Sequence, residues 1–144
     1  MRTLIVMLLL TFATGCDSAE ENVIEGTYRA TSLTLTESGV VTDLLAEGGS
    51  LELVLGPFDG NAGPFEGHFS STDLSVPVSF EGTYDVFTRG QVGRAPAYDQ
   101  VLIFTTAADV FLAGESLGIR GDRLLGTVTN DRSGGVLSVT LQRD

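Results

Sequence analysis

The sequence predicts an all-β fold: an eight-stranded antiparallel up-and-down β-barrel with one or two short helical turns. Three observations carry that prediction. Apolar and polar residues alternate at period two in several segments, the signature of strands that bury one face. The 144 residues include 18 glycines, which with other turn residues divide the chain into short lengths. No long segment repeats at the helical period. Short links between successive strands give a meander, and closing the meander into a barrel removes its exposed edges.

The predicted strands cover residues 26–36, 50–56, 64–70, 77–87, 99–106, 115–120, 123–129 and 135–142. In the first, Tyr28 and Ala30 share one parity whereas Leu33 and Leu35 share the other, so a bulge or bend is expected near Thr31-Ser32. Thr42 to Glu47 follows, with an N-cap residue, an acidic first turn at Asp43 and a Gly48-Gly49 stop. It is expected to form a helical turn or two closing one barrel end. The second strand places Leu51, Leu53 and Leu55 inward and Glu52 outward. In the fourth, Val78, Phe80, Gly82, Tyr84 and Val86 oppose Glu81, Thr83 and Asp85. Thr105 to Val110 is a second candidate turn, and Gly121-Asp122 is a tight-hairpin signal between the sixth and seventh strands. The last strand sets Leu137, Val139 and Leu141 against Ser138, Thr140 and Gln142. Glu25-Gly26-Thr27-Tyr28 recurs as Glu81-Gly82-Thr83-Tyr84. In each copy a glycine lets the strand curve while the ring two residues on plugs the interior.

Residues 1–15 read as a secretion signal. Arg2 is the positive n-region, Leu4 to Phe12 the apolar run, and Ala13, Thr14 and Gly15 the small residues before Cys16, the only cysteine. The apolar run is too short for a membrane span, which needs about 17 to 25 residues. A plain cleaved signal would leave an unpaired thiol in an oxidising compartment, which secreted proteins usually avoid. The stretch Leu9 to Cys16 resembles a bacterial lipobox, with Ala13 where Leu is commoner. That resemblance implies a diacylglycerol thioether and an N-acyl group on Cys16, and several acyl chains give stable anchoring where one does not. The expected location is the cell envelope, lipid-anchored, on either membrane. The expected organisation is a signal peptide (1–15), an acylated cysteine with an acidic tether (16–25) and a barrel domain (26–144). The nine tether residues, Asp17 to Glu25, reach at most about 30 Å.

The chain carries 19 Asp and Glu against eight basic residues, a formal net charge of −11, and every basic residue is arginine. Such a chain is repelled by nucleic acid, and the excess acid reads as a solvated surface. Residues 16–144 suffice for one domain with a core of its own.

Several motifs together resemble the small lipocalin-like lipoproteins of bacteria. They are Gly26-Thr27-Tyr28-Arg29, Gly49-Ser50-Leu51-Glu52-Leu53, Gly82-Thr83-Tyr84, Gly121-Asp122-Arg123-Leu124 and Leu137-Ser138-Val139-Thr140-Leu141. The resemblance covers most of residues 25–143 as a rhythm of strands and implies a barrel able to hold an apolar ligand. Tyr28 stands where lipocalins usually have Trp, and no helix follows the last strand.

Catalytic signals are thin. Gly114-Glu115-Ser116-Leu117-Gly118 matches G-x-S-x-G, but that chemistry needs a strand–turn–helix and here a hairpin follows. His68 is the only histidine, and its parity with Glu66 and Ser70 points it toward water or the barrel rim. Asp59-Gly60-Asn61 has the first residues of a calcium loop, yet position twelve is Ser70 rather than Glu, which favours a plain turn. Glu81 and Asp85 lie on the solvated parity, and Arg120-Gly121-Asp122 doubles as a hairpin turn. Zinc would need several His or Cys ligands, and no metal or other cofactor is expected.

The candidate ligand-binding residues are therefore aromatic: Tyr28, Phe80, Tyr84 and Phe104, converging inside the barrel. They either line a cavity for a small apolar molecule or lipid, or fill the interior themselves. The leading expectation is the cavity, which makes the protein a non-enzymatic, membrane-anchored carrier in the envelope. A filled interior makes it a structural or protein-interaction module using its outer face or the loops at 56–64 and 88–98. Replacing Cys16 with Ser is predicted to release an intact fold into the soluble fraction; continued membrane partitioning on fractionation contradicts the acylation reading.

Overall fold

The computed structural model describes residues 24–72, 76–88, 100–106, 112, 115–130 and 135–144. Nine strands run in order: β1 (Gly26–Glu37), β2 (Val40–Asp43), β3 (Ser50–Leu55), β4 (Gly63–Ser70), β5 (Val78–Thr88), β6 (Gln100–Thr106), β7 (Ser116–Arg120), β8 (Arg123–Asn130) and β9 (Gly135–Arg143). Each strand from β3 to β9 pairs antiparallel with the next, β1 pairs with β3, and β1 also pairs with β9. Eight strands thus close a barrel, and β2 is an additional strand on β1.

Closure depends on β1. Its first residues, Gly26 to Arg29, pair with β3, and Tyr28 to Thr36 pair with β9 along the other edge. Ala30 lies opposite Leu141 and Ser32 opposite Thr140, so Thr31 is the extra residue of a β-bulge. The expected phase change is this bulge. It lets buried Tyr28 and buried Leu33, of opposite parity, face the same interior.

The strand missed from the sequence is β2. Ser38 and Gly39 join it to β1 with φ of 52° and 80°, both in the left-handed region, as a two-residue type I′ hairpin requires. The Ser-Gly pair was a visible turn signal, but Val40-Val41-Thr42-Asp43 has no alternation to mark a strand. The expected helical segment from Thr42 is correspondingly shorter. Thr42 and Asp43 belong to β2, and residues 44–48 form a single turn capped by Asp43, whose Oδ1 accepts from the Leu45 and Ala46 N–H groups at 3.1 and 3.2 Å. The turn ends in a Schellman pattern: Gly48 N donates to Leu45 O at 3.0 Å and Gly49 N to Leu44 O at 2.7 Å, with Gly48 at φ 87°. Its core contribution is Leu44, buried, with its N–H on Leu33 O at 2.9 Å. Of the second expected turn, Thr105 and Thr106 end β6, and residues 107–110 lie outside the described residues.

The registers give the barrel two distinct ends. Gly26, Leu55, Gly63, the Gly121-Asp122 turn and Arg143 mark one, called the Gly26 end. Glu37, Ser50, Ser70, Val78 and Gly135 mark the other, the hairpin end. Between them, Leu33, Leu51, Leu53, Leu55, Leu102, Leu117, Leu124 and Leu141 belong to one continuous core. Substituting Gly48 by Ala is predicted to cost about 1–2 kcal/mol in denaturant unfolding, because a Cβ is disfavoured at its left-handed φ, whereas Gly48→Asn costs less.

Candidate functional site

All four aromatic residues expected inside the barrel are buried there: Tyr28, Phe80, Tyr84 and Phe104. Phe65 joins them, 5.0 Å from Phe104 and 6.2 Å from Phe80 between ring centroids, edge-on in both cases. Its position on the inward parity of β4 was visible in the sequence; its company was not.

The rings of β4 and β5 are arranged by glycine. Gly63 lies directly opposite Tyr84, Phe65 opposite Gly82, and Gly67 opposite Phe80. Each of these three aromatic residues thus faces a glycine on the neighbouring strand, and the order alternates from one strand to the other, whereas Phe69 at the end of the ladder faces Val78. A Cβ on Gly63 would lie 2.5 Å from the Tyr84 ring, and one on Gly67 would lie 2.2 Å from the Phe80 ring. The rings thus pack against bare backbone, the arrangement in which an aromatic covers a glycine across strands. Behind Gly82 the Thr105 carbonyl oxygen occupies the space a Cβ would need.

The two tyrosines secure the Gly26 end. Tyr28 donates to Ile24 O at 2.7 Å, and Tyr84 donates to Gly56 O at 2.7 Å. One phenol thus holds the segment entering the barrel, and the other holds the start of the β3–β4 loop. Phe58 of that loop stacks on Tyr84 with centroids 6.0 Å apart and planes at 24°. Burial pushes the Tyr28 phenol above its usual pKa, with the nearby Arg143 guanidinium pulling partly back. The Tyr84 phenol is raised by burial and further by the neighbouring Tyr28 and Glu25. Both remain protonated donors at neutral pH. Among the described residues, no buried side-chain polar atom lacks a partner, and no buried polar or charged residue lines the interior.

The outer face carries a polar row. Register places Arg29 beside Glu52, Glu52 beside His68, and His68 beside Ser79. His68 Nδ1 and Ser79 Oγ are 3.0 Å apart, and both residues are exposed. No local pattern marks this pairing. Arg29 Nε holds Glu52 Oε2 at 2.8 Å, and Arg29 also pairs with Asp144. A serine nucleophile needs oxyanion donors beside the base. Here β4 is paired on both edges at His68, and β5 is paired with β4 at Ser79, while its described pairing with β6 begins at Gly82. What this geometry provides is a cross-strand hydrogen bond on an open sheet face.

The remaining candidates are turns and surface positions. Asp59 Oδ1 accepts from Asn61 N and Ala62 N, both at 2.9 Å, and these bonds hold its carboxyl below the usual range. The Asp59-Gly60-Asn61 segment is thus a self-satisfied turn, and among the described residues no group of three or more His, Cys, Asp or Glu could hold a metal ion. Ser116 opens β7, exposed and three strands from the His68 strand, with no helix after it. Gly121 and Asp122 make the two-residue β7–β8 turn, with φ of 61° at Gly121. Glu81 lies outward opposite Glu66. Cys16 and residues 89–98 lie outside the described residues.

No family model matches this chain, and no curated protein matches it. Replacing Gly67 by Ala is predicted to cost about 3 kcal/mol, since the added methyl meets the Phe80 ring. Adding Phe80→Leu removes the ring, so the double variant should recover part of that loss, with a non-additivity of about 1 kcal/mol or more in urea unfolding.

Proposed function

We propose that this chain is a non-enzymatic, lipid-anchored module of the bacterial cell envelope whose β-barrel is filled by its own side chains and acts through its exterior. The observation that carries the reading is the seating of Phe65, Phe80 and Tyr84 on Gly82, Gly67 and Gly63. Rings that lie on the opposite backbone occupy the volume a guest would need. The O–H donors of the interior phenols are spent on Ile24 and Gly56, so neither is left to donate to a polar ligand. Anchoring rests on Cys16, eight positions before Ile24, the first described residue, which sits at the Gly26 end. On this reading that end faces the lipid and the hairpin end faces away from it.

A second reading, a lipocalin-like carrier of a small apolar molecule or lipid, is favoured by one feature: an interior wall that, among the described residues, is apolar apart from the Tyr28 and Tyr84 hydroxyls. The two readings separate in one pair of measurements. Native mass spectrometry of gently purified protein should give the mass of the acylated chain alone, and cross-linking in intact cells should give one recurrent protein partner. A stoichiometric bound lipid beyond the covalent acyl groups would favour the carrier; a scatter of unrelated neighbours would count against the module.

A further inference from the structure

The hairpin end differs from the rest of the surface. Four of the six exposed large apolar residues among those described lie there: Val40, Val41, Val76 and Val78. Val40 and Val41 are 66% and 65% exposed and sit side by side on β2, so each face of that strand presents one valine, beside Thr42 on one face and Asp43 on the other. Strand β2 pairs with β1 alone among the described strands, which leaves its second edge open.

The hydrogen-bonding parity of that edge follows from the hairpin. Leu44 N donates to Leu33 O, so residues 33 and 44 form a hydrogen-bonded pair. Counting back by twos, Leu35·Thr42 and Glu37·Val40 are also hydrogen-bonded pairs. The N–H and C=O of Val40 and Thr42 therefore point at β1, and those of Val41, with the N–H of Asp43, point to the open side. Natural edge strands are usually blunted by Lys, Pro, a bulge or a covering loop. The β2 sequence Val40-Val41-Thr42-Asp43 has none of the first three; its length of four residues and the charge of Asp43 are its only blunting features.

Charge selects the occupant. The exposed acidic residues Glu37, Asp43 and Glu47 flank β2, and Glu115 lies at the same end. All four described arginines, Arg29, Arg120, Arg123 and Arg143, lie toward the opposite end. Pairing two copies through β2 would bring the acidic flanks of two chains of net charge −11 together, which like-charge repulsion disfavours. A strand carrying Lys or Arg beside β-branched residues meets the same flanks with attraction.

We infer that β2 is a docking edge for a basic, extended segment of a partner protein, which adds to the sheet as an antiparallel strand along Val41 and Asp43. Main-chain hydrogen bonds to Val41 and Asp43 hold the segment, its apolar side chains cover Val40 and Val41, and its cations face Glu37, Asp43 and Glu47. This deepens the reading of the barrel as an interaction module by naming the surface and the chemistry of the partner. A module that works through another face would keep its in-cell cross-linked partner when β2 is blocked, so the two readings fail separately.

The test uses the full purified protein and a fluorescein-labelled heptapeptide of alternating lysine and valine, with a glutamate–valine peptide as control. Fluorescence anisotropy should show saturable binding of the lysine peptide, and amide exchange should show new protection at Val41 and Asp43. Val41→Pro removes a donor that faces away from β1, so the β1–β2 ladder and every acidic residue are retained. It should weaken binding at least tenfold, whereas Val41→Thr, which keeps the N–H, should stay within about twofold. Unchanged affinity in Val41→Pro means attraction by charge alone and overturns the proposal. Equal binding of the glutamate peptide, protection confined to other strands, or a Val41-dependent dimer of the protein itself overturns it as well.

Discussion

The barrel depends on a steric bargain between glycine and aromatic rings on β4 and β5. An eight-stranded barrel has an interior just wide enough for side chains to fill, and three of its large rings are accommodated where the neighbouring strand is thin. Gly63, Gly67 and Gly82 supply that thinness opposite Tyr84, Phe80 and Phe65. Because glycine and ring alternate between the two strands, neither wall is stripped of side chains along its whole length. Phe104 then packs edge-on to Phe65, which carries the packing from β4 across to β6. With the rings in place, the leucines of β3, β6, β7, β8 and β9 complete one core.

The bulge at Thr31 performs a comparable service for closure. A strand of strict alternation could not bury both Tyr28 and Leu33, since a one-residue offset turns side chains to the other face. Opposing two β1 residues to one on β9 corrects the phase in mid-strand. The first half of β1 can then pair with β3 while its last residues extend beyond the rim and pair with β2. The overhanging hairpin, and with it the open edge of β2, follows from this reach. At the rim the Asp43-capped turn returns Leu44 to the core and directs the chain into β3.

Up-and-down topology also sorts chemistry between the two ends. Turns from alternate strands collect at opposite mouths, so residues far apart in sequence share an end. Glu37, Glu47 and Glu115 meet at the hairpin end, and Arg29, Arg120, Arg123 and Arg143 at the other. Among the described residues acids stand at both ends, Asp122 and Asp144 beside the arginines, and it is the arginines that are confined to one. The surface ion pairs of Arg29 with Glu52 and Asp144 are exposed and contribute little to stability. They matter more as a tie across the seam where β1, β3 and the C-terminal residues meet.

By itself the sequence determined the barrel strands, their inward residues and the phase change in β1, because each is a local pattern of period two. It also placed the Asp59 and Gly121 turns, whose chemistry lies within a few residues. Strand β2 escaped because four residues without alternation carry no periodic signal, although Ser38-Gly39 marked its turn. Residues such as Phe80 and Tyr84 were legible as interior, but whether they line a space or fill it was not. That depends on cross-strand register, which sets Gly67 against Phe80 and Gly63 against Tyr84 through contacts 13 and 21 positions apart. Register likewise put Ser79 beside His68, and topology brought Glu115 to the end where Glu37, Asp43 and Glu47 stand. Such facts rest on which strands meet and at what offset, and only the closed sheet decides that.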